Sequence, residues 1–385
     1  MKKTQYNDTL DQKLLGLLYK LKLLSLQQCW QAVYYAACPN FMQCFWQHLY
    51  PMYSAGLIVI FPNVYCKYAV MLTNKGIAAM STETDKHASD LAVEEKLIPH
   101  HISLVQFLLD FQSSFDSSPY SHFPCSVNME VYDRDYEIIR PDAVITLPGT
   151  LFFIEQDMGT EDARQLRAKW TRYRRFLENR KESGTVPEMI LLFIITADEK
   201  VFYKRQKTVL DSLQLLSPAM ARSDIKIYMG TENEILRAVF EVILPSLLSD
   251  SLMQDILQPI LITPYGYTVS DTENLNSYLS ELQFDFYLRK ATTESSDSPF
   301  PDAFLFQDGR RNEVGSLAKA SYLDKANAII RERVPDARYL PLMILTDDID
   351  HTQQLLQNEK AYHEGKVLVV AEEKLSQYAK KSPAA

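Results

Sequence analysis

Residues 140–173, RPDAVITLPGTLFFIEQDMGTEDARQLRAKWTRY, constrain the fold more than any other stretch, because they set three carboxylates into runs that read as adjoining strands. A strand rises roughly 3.3 Å per residue and alternates its faces, so Glu155 and Asp157 share one side and Gln156 takes the other. Asp142, which follows Pro141 into the neighbouring strand, reaches the same spot. Carboxylates gathered in this way are costly unless paired, and a hard divalent cation such as Mg²⁺ or Mn²⁺ is one way to stabilise them. Asp142, Glu155 and Asp157 are therefore the candidate metal ligands.

A chain of 385 residues with 46% apolar content has material for two or three domains with real cores. Its net charge of −9 is unevenly spread, since residues 1–80 hold seven lysines and two acidic residues. Nucleic-acid contact is thus expected in patches. The five cysteines (Cys29, Cys38, Cys44, Cys66, Cys125) form no C-x-x-C pair, which argues against a zinc site and for buried thiols in a reduced, cytosolic (cytoplasmic) protein. The longest apolar run, 189–196, has strand length, and no membrane association is expected.

Apolar spacing predicts helices over 9–23, 24–37 and 40–52, then β-rich runs over 57–61 and 65–80, the order of a winged-helix domain at 1–80. The phrase YAVMLTNKG resembles the wing and exit of bacterial winged helices, with Leu72, Thr73 and Gly76 at its end. The third helix offers Gln43, Gln47 and His48 but no Lys or Arg, so it is poorly equipped to read base edges. Its aromatics suit a homodimer or partner contact equally. Lys67 and Lys75, on the expected wing, are candidate DNA contacts. The polar residues 81–98 read as a linker.

Beyond the linker a helix at 99–115, strands at 127–132, 138–147 and 151–157, a helix at 162–181 and a strand at 189–196 give an αβββαβ order. That is the order of a PD-(D/E)XK nuclease-like core, here over 99–250. Residues 251–385 read as a second, degenerate copy: Pro301-Asp302-Ala303 mirrors Pro141-Asp142-Ala143, Glu313 stands for Glu155, and Gly315 replaces the second carboxylate. The expected fold class is mixed α/β (α+β).

Two-strand phosphodiesterase sites use a cation to polarise phosphate and a lysine to help neutralise the transition state. The usual lysine position holds Asp157, and the nearest replacement is Lys169 on the following helix, at the border of the stripe Leu166, Trp170, Tyr173 and Leu177. Lys169 reads either as that helper or as a structural ion pair with Glu155 or Asp157. An ammonium about 3–5 Å from either carboxylate in an open cleft would keep catalysis available. Residues 164–181 hold eight Lys or Arg and one Glu; Arg164, Arg167, Arg172, Arg174 and Arg175 are the candidate phosphate contacts. Glu130 is a further candidate ligand, Glu161 suits a helix N-terminus, and His100 and His101 read as structural.

Together the N-terminal winged helix, RPDA (Arg140, Pro141, Asp142), FFIEQDMGTE (Glu155, Asp157, Gly159, Thr160, Glu161) and RAKWTRY (Lys169, Tyr173) resemble the replication-relaxation family of bacterial plasmids and integrative mobile elements. Gln156 and Met158 depart from that pattern, where an apolar and a basic residue are expected. The resemblance implies DNA binding in plasmid replication or conjugative transfer, with DNA and a replication or transfer protein as partners. Three functions follow: a DNA-binding accessory protein whose nuclease-like core is a scaffold, a Mg²⁺-dependent DNA endonuclease using Asp142, Glu155, Asp157 and Lys169, or a protein-interaction adaptor.

Overall fold

The computed structural model describes residues 9–80, 87–129, 139–180, 188–197, 199–213, 225–249, 252–270, 275–276, 279, 284–291, 300–333 and 338–375. The described residues form a mixed α/β structure with three sheets. It divides into two compact units, one of Met1–Ser117 with Val127–Glu130 and one of Ser118–Ser126 with Val131–Ala385. No helix among the described residues is long and apolar enough to cross a membrane.

In the first unit, helices form at Thr9–Leu21, at Leu26–Cys29 running on into Trp30–Tyr34, and at Phe41–Cys44 running on through Phe45–Leu49 and Tyr50–Ser54. Ser25 and Gln28 exchange hydrogen bonds as a reciprocal cap, and Asn40 Oδ1 accepts from Gln43 N. Strands β1 (Leu23–Ser25), β2 (Ile58–Asn63) and β3 (Lys67–Leu72) pair antiparallel in the order β1-β3-β2. The expected strand over 65–80 stops at Leu72, because Thr73 caps a short helix, Asn74–Ala78, by accepting from Gly76 N at 3.0 Å. Gly76, expected at the exit of the wing, lies inside this helix. It lets the helix approach Leu57, whose carbonyl oxygen would lie 2.1 Å from any added Cβ.

Asp11 is buried and accepts from Tyr34 Oη at 2.9 Å, while His48 Nδ1 lies 3.0 Å from it. His48 is thereby turned into the unit. The Ile98–Asp116 helix belongs to this unit: Gln28 Nε2 donates to Ile102 O, and His101 Nε2 sits 2.7 Å from Leu21 O. Burial lowers the His101 pKa to about 4, so its role is structural and neutral. Cys29, Cys38 and Cys44 are buried thiols.

The site-bearing sheet has the order β4-β5-β6-β7-β8, from Ser126–Asn128, Ala143–Leu147, Thr150–Asp157, Glu188–Ile195 and Ile225–Gly230. Strands β5 and β6 are antiparallel, while β6, β7 and β8 run parallel. As the central strand, β6 is buried along its whole length. Its odd positions Leu151 and Phe153 share a core with Leu191, Phe193 and Ile227, and with Leu166, Trp170, Tyr173 and Phe176 of the Ala163–Arg180 helix. Glu155 and Asp157 continue that face, so they point toward the crossover helices. The second of these, Glu199–Leu213, has no counterpart in the sequence reading.

The other five-stranded sheet joins β9 (Tyr267–Ser270), β10 (Phe286–Lys290), β11 (Ala303–Asp308), β12 (Leu342–Thr346) and β13 (Val367–Ala371) in the order β13-β12-β11-β10-β9. Strands β10 and β11 are antiparallel, and β11, β12 and β13 are parallel. From β5 and β10 onward the two sheets therefore share strand order and direction. The landmarks expected to align them do not. Pro301-Asp302-Ala303 opens β11, the counterpart of β6, whereas Pro141-Asp142-Ala143 opens β5.

Trp170 anchors the helix that carries Lys169; its ring is fully buried and its Nε1 donates to Ser212 Oγ at 2.9 Å. Trp170→Ala should cost about 3–5 kcal/mol of unfolding free energy, with Trp170→Phe costing distinctly less, as read by urea denaturation.

Candidate functional site

Antiparallel pairing sets Ala143 opposite Ile154, so Asp142 enters beside Glu155. Asp142 N donates to Ile154 O at 2.9 Å, and Asp142 Oδ2 accepts from Gln156 N at 2.8 Å. The three predicted carboxylates thus gather at the C-terminal end of β6 and the start of β5, as the strand parity requires. The geometry separates them by partner, however.

Glu155 is 2% exposed and accepts from Lys169 Nζ at 2.8 Å and from Tyr173 Oη at 2.6 Å. One helical turn separates these donors, so both come from one face of the Ala163–Arg180 helix. Lys169 also lies 3.1 Å from Glu161, which stands ahead of that helix. Lys169 meets the distance condition for a helper, but the cleft is closed: its side chain is only 13% exposed. Burial works to lower the Lys169 pKa, and Glu155 more than reverses this, keeping the ammonium charged. Burial and the Glu155 charge push the Tyr173 phenol upward, so it remains a donor.

Asp157 has a different cation, Arg205, from the Glu199–Leu213 helix. The guanidinium is bidentate, with Nε 2.6 Å from Oδ2 and Nη2 2.7 Å from Oδ1, while Nη1 donates to Glu161 O. Oδ1 also accepts from Gly159 N at 3.0 Å, across a turn where φ of +73° favours glycine. Arg205 escaped the sequence reading. The only signal for it was a basic residue on an apolar helix face 48 positions away from its partner.

This donor set does not suit three-carboxylate ligation as folded. Both oxygens of Asp157 and both of Glu155 accept hydrogen bonds from the chain, so Mg²⁺ or Mn²⁺ would compete there with Arg205 and Lys169. Among the described residues no group of three His, Cys, Asp or Glu is arranged to hold a metal. Glu130 lies outside the described residues.

The basic candidates lie elsewhere. Arg164, Arg167, Arg172, Arg174 and Arg175 are all exposed, on the faces of the helix turned from the sheet. Lys67, exposed, takes a left-handed φ of +62° at the start of β3. Lys75 is exposed with Nζ 2.5 Å from Ala55 O.

Pairing registers place Asp285, Gln307, Asp308 and Gly309 of the second sheet where Asp142, Glu155, Gln156 and Asp157 stand in the first. The contacts repeat. Asp285 Oδ2 accepts from Asp308 N at 2.8 Å, and Lys319 Nζ donates to Gln307 Oε1. A carboxylate at 309 has no room, because an added Cβ would lie 2.8 Å from Ile344 Cγ2. Glu313 is therefore not the counterpart of Glu155. It caps the Gly315–Ser321 helix by accepting from Gly315 N and Ser316 N, and a Cβ at Gly315 would meet the capping Glu313 Oε1 at 2.6 Å.

Two measurements test the network. Arg205→Ala strands a buried carboxylate and should cost about 3–5 kcal/mol of stability. For Glu155, burial raises the pKa to about 7 despite Lys169, with Asp142 adding repulsion. The folded chain keeps this proton where an unfolded glutamate, near 4.5, has lost it, so Glu155 contributes less stability as pH rises from 4.5 to about 7. Urea titrations at stepped pH should show wild type losing on the order of 3 kcal/mol relative to Glu155→Gln across that window, with a level difference outside it.

No curated protein and no solved structure matches the chain. A family model described as replication-relaxation matches residues 15–189, which run from the first helix through the three carboxylates, Lys169 and Tyr173. Over those residues the chain is similar to the replication-relaxation family.

Proposed function

We propose that this is a DNA-binding accessory protein of plasmid replication or conjugative transfer in a bacterial mobile element. Its first unit acts as a winged helix, and the sheet that bears Glu155 is a PD-(D/E)XK nuclease-like core serving as scaffold, followed by a degenerate copy. One observation carries the reading: the acidic cleft is closed by cations of the chain itself, Lys169 on Glu155 and Arg205 on Asp157, while five arginines of the same helix face outward. Internal pairing favours a frame over a metal centre. Exposed cations on one helix suit a phosphate backbone. The family match supports a role in plasmid replication or transfer.

The endonuclease reading draws on one feature, the 2.8 Å contact of Lys169 with Glu155 beside Asp142. Incubating supercoiled and single-stranded DNA with Mg²⁺ or Mn²⁺ separates the two. The scaffold reading expects intact DNA, and nicking abolished by Glu155→Ala would replace it with the enzyme.

For binding, replacing Arg167, Arg172 and Arg175 by alanine should flatten the dependence of log affinity on log salt by about one unit per lost phosphate contact. Absence of measurable DNA affinity near about 100 mM salt would leave a protein adaptor as the better description.

A further inference from the structure

The Phe41–Ser54 helical run carries a row of exposed apolar side chains that its own unit does not cover: Met42 is 55% exposed, Trp46 57%, Tyr50 44% and Tyr53 45%. The rings follow one another along the helix, with centroids 5.0 Å apart for Trp46 and Tyr50 and 6.5 Å apart for Tyr50 and Tyr53. In the same unit the β2–β3 hairpin exposes Val64 and Tyr65 in its turn and Tyr68 on β3, each at least half exposed. Apolar surface gathered in this way marks a contact site.

Charge identifies what fits it. From residue 12 to residue 82 the sequence contains no Asp or Glu but five lysines: Lys13, Lys20, Lys22, Lys67 and Lys75. Lys75 reaches the C-terminal end of the aromatic helix, with Nζ against Ala55 O, and Lys67 opens β3 next to Tyr68. A second copy would bring a like-charged face onto this one, which opposes self-association. A duplex hides its base faces, and the helix has no Lys or Arg to read base edges; of its polar candidates, His48 is turned toward Asp11. A single strand offers a polyanion and uncovered π-faces together.

We infer that this aromatic helix and the adjoining lysines bind single-stranded DNA by stacking, with little sequence preference. The inference rests on the DNA-binding reading above and specifies the strand state recognised by the first unit. Trp46 is the principal platform, being the largest ring of this surface and the most exposed one on the helix.

The test is fluorescence anisotropy of the full chain with a labelled oligothymidylate and with a duplex of equal length, for wild type, Trp46→Ala, Trp46→Phe and the Arg167/Arg172/Arg175 triple variant. Trp46→Ala should weaken oligothymidylate binding by about tenfold and leave duplex binding and the salt slope unchanged, while Trp46→Phe retains most of the affinity. Equal binding of oligothymidylate by wild type and Trp46→Ala overturns the inference. So does an equal loss for both DNA forms, or sedimentation showing a dimer that Trp46→Ala dissociates. If the triple variant loses duplex binding while Trp46→Ala changes nothing, the wider DNA-binding reading survives and the stacking surface does not. If wild type binds neither DNA, both fail.

Discussion

The second unit is organised around two buried ion pairs at the end of β6, Glu155 with Lys169 and Asp157 with Arg205. Two carboxylates on one face of a fully buried strand cannot remain charged there alone. Each therefore draws a cation from a different crossover helix: the Ala163–Arg180 helix sends Lys169, and the Glu199–Leu213 helix sends Arg205. Tyr173 and Gly159 N fill further acceptor positions, and Glu161 touches both cations. Breaking one pair would leave an uncompensated charge inside the core, so the network constrains where both helices can pack. The same closure keeps the acidic cleft from presenting open oxygen ligands.

The second sheet repeats this frame with the two β6 carboxylates replaced by Gln307 and Gly309. Gln307 accepts from Lys319 where Glu155 accepts from Lys169, and Asp285 receives a backbone amide as Asp142 does. Gly309 replaces Asp157, and Ile344 fills the space that a side chain would need. This is the pattern expected when packing against a helix, and not ligand chemistry, is what the position must satisfy.

Parts of this were legible from residues alone. Alternation along 151–157 predicts a shared face for Glu155 and Asp157, and helical spacing brings Lys169 and Tyr173 to the sheet; both are local periodicities. Arg205 was not legible, since nothing in its own helix marks a partner 48 residues earlier. The repeat misled for a related reason. A recurring Pro-Asp-Ala looks like an alignment landmark, yet at 301–303 it opens β11, and only pairing registers show Asp285 to be the equivalent of Asp142. In the first unit, Thr73 capping ended the strand eight residues early, because a side-chain cap competes with a ladder hydrogen bond and leaves no signal in apolar patterning.

By itself the sequence determined the order of the described helices and strands through 99–196 and the side of β6 on which the acids lie, because each depends on neighbours a few positions away. Tertiary structure alone decided which cation meets which carboxylate, that the cleft is closed, and how the two sheets align. Those outcomes rest on contacts between distant segments, where burial of charge selects a partner by position in space and not by spacing in the chain.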